Sequence, residues 1–129
     1  MQQYPRSTGD NMKDIVIDNI IRSQIVEDYL DLFENKDLDG LESFFSNDCT
    51  IRDWDAGVVS GKQKVMKIFS NIFDSFENIE VNIHHIHEDH GGIIICEMTL
   101  SLDSENLFVA DIFEFDSENL INHLRAYRG

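Results

Sequence analysis

A chain of 129 residues, 42% of them hydrophobic, fits one domain and leaves no room for a second; a chain of this size buries roughly two thirds of its unfolded surface, enough for a core and one pocket. With 25 acidic residues against 10 basic ones the formal charge is −15, which excludes nucleic acid and anionic membrane surfaces as natural partners, because phosphate is bound through an excess of Lys and Arg. The acidic residues are dispersed over loops and element ends, so their plain reading is solubility.

Residues 1–14, with Gln2, Gln3, Pro5, Ser7, Gly9, Asp10 and Asn11, have turn formers and no periodicity, and are expected to be a disordered tail before a single domain over 15–129. From about Asp14 to Asn35 the residues Ile17, Ile21, Ile25, Tyr29, Leu32 and Phe33 recur in steps of three and four, the spacing of an amphipathic helix. A short second helix is expected around Leu41, Phe44 and Phe45, with Asp39 and Glu42 at capping-box spacing. The alternation in Cys49-Thr-Ile-Arg-Asp-Trp-Asp55 predicts a strand with Cys49, Ile51, Asp53 and Asp55 on one face, and Gly57 turns it towards Val58-Val59.

Ser60 is placed to cap a third helix carrying Val65, Phe69, Ile72, Phe73 and Phe76 at helical steps. Four strands then follow, near 79–88, 93–102, 107–116 and 120–127, divided by the turn-like segments at 90–92, 103–106 and 116–119. Helices followed by an antiparallel meander make an α+β layer architecture, and curling of the sheet leaves a pocket beneath the helices. The outward residues Phe108, Ala110 and Ile112 leave the other face of the sheet partly apolar, so a homodimer through that outer face is expected.

In Phe108-Val-Ala-Asp-Ile-Phe-Glu-Phe115 the two-residue strand period puts Asp111 on one face with Val109, Phe113 and Phe115. A carboxyl group among apolar side chains is costly to ionise. It is therefore either a structural group with a hidden partner or a functional acid. His84, His85, His87 and His90 have no standard metal-ligand spacing, so no metal is expected. His123 is free to face either the pocket or the dimer. Cys49 and Cys96 stand alone among apolar residues, as small hydrophobes in a reducing compartment do. With no apolar leader and no run near the roughly 18 apolar residues of a membrane span, a soluble, cytoplasmic protein is expected.

The run YLDLFENKDLDG at 29–40, the following LESFFSNDCTIRD, and the terminal ADIFEFDSENLINHLRAY resemble the nuclear transport factor 2-like superfamily, and within it the SnoaL-like and ketosteroid-isomerase-like branch. The resemblance covers about residues 17–128 and implies the cone-shaped, cystatin-like fold, with N-terminal helices packed on a curved antiparallel sheet around a pocket. It places Tyr29 where ketosteroid isomerases have the tyrosine of their oxyanion hole, Asp53 where they have the general base, and Asp111 where they have a protonated aspartic acid. Trp54, Phe69, Val109 and Phe113 are the implied substrate contacts. Phe69 stands where the isomerase has a second tyrosine bracing the first, and Trp54 where it has a proline.

Two functions follow as expectations. One is a cofactor-independent isomerase or cyclase that abstracts a proton from an apolar carbonyl compound. The other is a non-catalytic module of the same fold that holds an apolar small molecule or another chain, to which the missing brace and bulky Trp54 point.

Overall fold

The computed structural model describes residues 12–129, with side-chain surroundings from Ile15 onward. Helix α1 runs Met12–Glu34, so residues 12–14 are helical where a tail was expected; the rest of that segment lies outside the described residues. The buried face of α1 is Ile15, Asn19, Val26, Tyr29, Leu30 and Phe33, while Ile17 and Ile20 are exposed. The first half of the helix carries isoleucine or valine on most sides, so periodicity there does not select the face that packing uses.

Helix α2 spans Leu38–Glu42, and its cap is Asp37, whose carboxylate accepts from the Gly40 amide at 2.9 Å. This displaces the expected Asp39 cap by two residues. Phe45 then opens strand β1, Phe45–Asp53, and does not extend the helix. β1 stops at Asp53 because its Oδ2 accepts from the amides of Asp55 and Ala56, both at 2.9 Å, closing an Asx-type turn. Asp55 therefore lies in the turn, off the strand face on which alternation had put it. Strand β2 is Gly57–Ser60 and helix α3 is Lys62–Ser75. Ser60 ends β2, and Gly61 is the N-cap of α3, without a side-chain cap bond.

The remaining strands are β3 Ile79–Glu88, β4 Ile94–Leu102, β5 Glu105–Phe115 and β6 Ile121–Arg128. All six form one sheet in the order β2-β1-β6-β5-β4-β3. The meander is antiparallel as expected, but β1 and β6 run parallel, with Ile51 opposite Leu124 and Arg52 opposite Arg125. Side-chain alternation marks strands without naming their partners. Here the long connection through α3 and the meander returns β6 beside β1 in the same direction, as a parallel pair requires.

Register shifts at Phe45/Thr50, Ile83/His85 and Glu114/Phe115 interrupt the ladders, the kind of irregularity that bends a sheet. The helices cover its concave face, where Phe45, Leu41, Val65, Ile94, Phe113, Ile121 and Leu124 are almost wholly buried. At one end, Arg22 ties α1 to the β3–β4 and β5–β6 turns. Its guanidinium donates to the Asn119 side chain at 2.8 Å and the Gly92 carbonyl at 3.2 Å, and lies over the Phe115 ring. On the convex face Phe108 is 68% and Tyr127 45% exposed.

Candidate functional site

The open end of the cone holds a cavity of about 400 Å³ between the concave sheet, α1 and α3. Its walls are mainly aliphatic and aromatic, including Phe33, Ile72, Met98, Leu100 and Leu107. The inward positions of β5 are Leu107, Val109, Asp111 and Phe113, all buried. This is the face that the two-residue period assigned.

Asp111 lines the cavity at 7% exposure. Burial, with a smaller contribution from the Asp53 charge, pushes its carboxyl up to about 7. At neutral pH it is therefore close to half protonated, so it is able to donate a hydrogen bond or to accept a proton. Among the described residues it has no side-chain hydrogen-bond partner, so the structural reading with a hidden partner finds no support there.

Tyr29 comes from the last third of α1 and also lines the cavity, at 3% exposure. Its ring sits among Phe33, Phe45, Phe69 and Phe113, the last at 5.3 Å between centroids. Burial raises its phenol well above the usual value, and the Asp111 and Asp53 charges push in the same direction. Tyr29 is held by packing. Phe69 lies edge-to-face against it, 6.1 Å between centroids, and offers no hydroxyl to brace it.

Asp53 and Trp54 bring the β1–β2 turn to the cavity wall. One carboxylate oxygen of Asp53 is committed to the turn amides, which fixes the side chain and leaves Oδ1 to face other groups. Trp54 is half-buried against the core. Val109 and Phe69 line the cavity as well. Phe113 does not: fully buried, it backs Tyr29 from behind, because the cavity runs along β5 from Asp111 to Glu105 and stops short of Phe113.

Glu105 and Arg128 also line the cavity, and sequence reasoning had not singled them out. The signal was available. Counting back by twos from Asp111 reaches Glu105, and counting forward by twos from Leu124 reaches Ala126 and Arg128. Cys96 lies directly across the ladder from Asp111 and is fully buried. Its thiol, pushed up to about 12 chiefly by burial, is no nucleophile at neutral pH.

The histidines lie elsewhere. His84 shares a hydrogen bond with the Thr99 hydroxyl at 2.7 Å, His87 pairs with Glu97, and His85 neighbours His87. His123 is paired across the ladder with Glu114, while its neighbour Leu124 points inward; His123 therefore faces outward. Among the described residues no three His, Cys, Asp or Glu side chains are grouped to hold a metal ion, and no helix is long and apolar enough to cross a membrane.

The fold is shared with solved structures of low sequence identity. An epoxide hydrolase/cyclase-like enzyme, SalBIII, described for its role in pyran ring formation in the polyether salinomycin, superposes with a TM-score of 0.74 at 19% identity, over 84% of this chain and 90% of its own. A putative SnoaL-like polyketide cyclase from Shewanella putrefaciens gives 0.73 at 13% identity, over 83% and 79%. An LEH-like epoxide hydrolase from M. tuberculosis gives 0.67 at 22% identity, over 82% and 80%. Comparison with curated protein sequences finds no match. The SnoaL-like domain family matches residues 26–123, a span that includes Tyr29, Asp53, Asp111 and most of the cavity wall, and the chain belongs to that family.

Proposed function

We propose that the cavity binds an apolar small molecule carrying a carbonyl oxygen, and that the protein is a cofactor-independent isomerase or cyclase acting by proton abstraction. The observation that carries this reading is Asp111: a buried carboxyl held near neutral protonation, on an apolar wall shared with the Tyr29 hydroxyl and the Asp53 carboxylate. In the proposed reaction Asp53 Oδ1 takes a proton from the carbon next to the carbonyl. The C–H electron pair moves into the ring or chain and the negative charge collects on oxygen. Tyr29 and protonated Asp111 donate to that oxygen, and return of the proton from Asp53 to the γ-carbon completes a shift of the double bond without net redox change. The named cyclase and epoxide hydrolase chemistries of the similar structures also call for a proton delivered to oxygen, which is a role Asp111 can fill.

Isomerisation of a β,γ-unsaturated cyclic ketone, followed by the absorbance of the conjugated product, tests the reading. Asp53→Asn is expected to lower turnover by about 10²–10⁴, the range of a positioned general base. No turnover by the parent protein, or unchanged turnover in Asp53→Asn and Asp111→Ala, overturns it.

The second reading, a non-catalytic binding or association module, draws support from two features. Tyr29 lacks a polar brace because Phe69 fills that position, and one oxygen of Asp53 is spent on its own turn. Saturable ligand binding without turnover favours it.

We also propose that a second copy of the chain covers the outer face of the sheet, and that the protein acts in the cytoplasm, where its two free cysteines would stay reduced. Copies of a chain of charge −15 repel one another, and ion pairs on the outer face lessen that repulsion. Two of its acids, Glu97 and Glu114, are paired with His87 and Arg125, around exposed Phe108 and Tyr127.

A further inference from the structure

The charged groups on the cavity wall are unequal in number. Among the described residues, Asp53, Asp55, Glu105 and Asp111 supply four carboxyl groups to the wall, and Arg128 supplies its one cation. On β6, Ala126 lies opposite Asp111 and Arg128 lies opposite Val109. Arg128 therefore stands one inward step, about 7 Å by strand rise, from the level of Asp111 towards the mouth. Asp55, Glu105 and Arg128 are the exposed charged residues of the wall. The guanidinium already has a carboxylate for company: Arg128 Nη2 is 3.9 Å from Glu105 Oε2.

With Arg128 offset by Glu105, Asp53 and Asp55 have no cationic partner among the described residues, and the charge of −15 on the whole chain adds a field of the same sign. An anion entering this cavity leaves water for a wall whose free charges repel it, and repulsion strengthens as the surroundings become less polar. An uncharged ligand meets no such barrier. It also leaves the proton of Asp111 for the reacting oxygen.

We propose that the cavity admits uncharged ligands and rejects anionic ones, so that its substrate is a free neutral ketone or similar oxygen-bearing apolar molecule, not a carboxylic acid and not an acyl group attached to a phosphate-bearing carrier. This rests on the cavity being the ligand site proposed above. It also sets the place of the reaction in a sequence: any step that builds the substrate on a charged carrier must be followed by release before this protein acts.

Two fluorescent probes with one ring system test it. N-phenyl-1-naphthylamine is uncharged, and 8-anilino-1-naphthalenesulfonate adds a single sulfonate. Titrated into the protein at low ionic strength, the neutral probe is expected to bind at least tenfold more tightly, with the gap narrowing in high salt as the field is screened. The double substitution Asp55→Asn and Glu105→Gln is expected to narrow the same gap at low salt. The Asp55 side chain makes no hydrogen bond among the described residues, so the turn, which uses its backbone amide, is kept. Ala126→Phe, which fills the cavity, should abolish binding of the neutral probe and so locate it.

Equal or tighter binding of the sulfonate at the site blocked by Ala126→Phe overturns the charge selection and leaves the cavity reading intact; loss of that binding in Arg128→Gln would then make Arg128 an anion anchor. Failure of the neutral probe to bind overturns the cavity reading, and the selection with it.

Discussion

Asp111 is where the cost of folding and the proposed chemistry meet. Raising a carboxyl from its usual value near 4 to about 7 corresponds to about 4 kcal/mol. The sign follows from proton binding: between pH 4 and pH 7 the folded state holds a proton that the unfolded state has lost. The stability tied to this group is thus fully present below pH 4, declines as pH rises, and is gone above pH 7. Asp111→Asn removes the burden, so denaturant unfolding at pH 8 should find the variant more stable than the parent by up to about 4 kcal/mol, and near parity at pH 4. A parent no less stable at pH 8 than its variant would show that the carboxyl is not strained by burial. Tyr29→Phe keeps the packing with Phe33, Phe69 and Phe113 and removes only the hydroxyl. Turnover should fall by about 10²–10³, as for loss of one oxyanion donor, with little change in unfolding free energy. Both residues were legible in the sequence, Asp111 through the strand period and Tyr29 through the family resemblance. That Asp53 is bonded to its own turn was not legible, because an Asx turn depends on backbone angles that alternation does not report.

The elements divide into a closed end and an open end. The closed end depends on Arg22 and on Gly92, which has a φ of +80°. A Cβ at Gly92 would lie 1.9 Å from Arg22 Nη1, so Gly92→Ala combines a left-handed backbone penalty with displacement of the arginine. The loss is expected to be about 2–3 kcal/mol in thermal or denaturant unfolding, with the cavity at the other end still able to bind the neutral probe; a variant as stable as the parent would mean that Arg22 is not needed to tie α1 to the turns. The helices and strands were readable from their periods, yet their ends were not. Phe45 belongs to β1 where helical spacing suggested α2, because Asp37 in place of Asp39 caps α2 and the helix ends at Glu42. The buried stripe of α1 is set by its contact with the sheet, since its early residues are apolar on too many sides to choose.

For the whole molecule, the outer face of the sheet bears on assembly. Light scattering on a gel-filtration column should give twice the chain mass of 14.9 kDa. Phe108→Lys should reduce it to one chain, and Ile20→Lys, at an exposed apolar residue of α1, should leave it unchanged. A parent eluting as a monomer, or a Phe108→Lys dimer, would remove the outer face as the interface. The sequence by itself determined the α+β class, the order of helices before strands and the inward set of β5, because hydrophobic periods and local turn chemistry are written in neighbouring residues, and the resemblance of its motifs pointed to the family. Only the tertiary structure decided that β1 runs parallel to β6, that Phe113 backs Tyr29 without reaching the cavity, and that Glu105 and Arg128 stand at its mouth. These depend on which distant segments meet and how the sheet curves, and both are set by the joint packing of all the elements against one core.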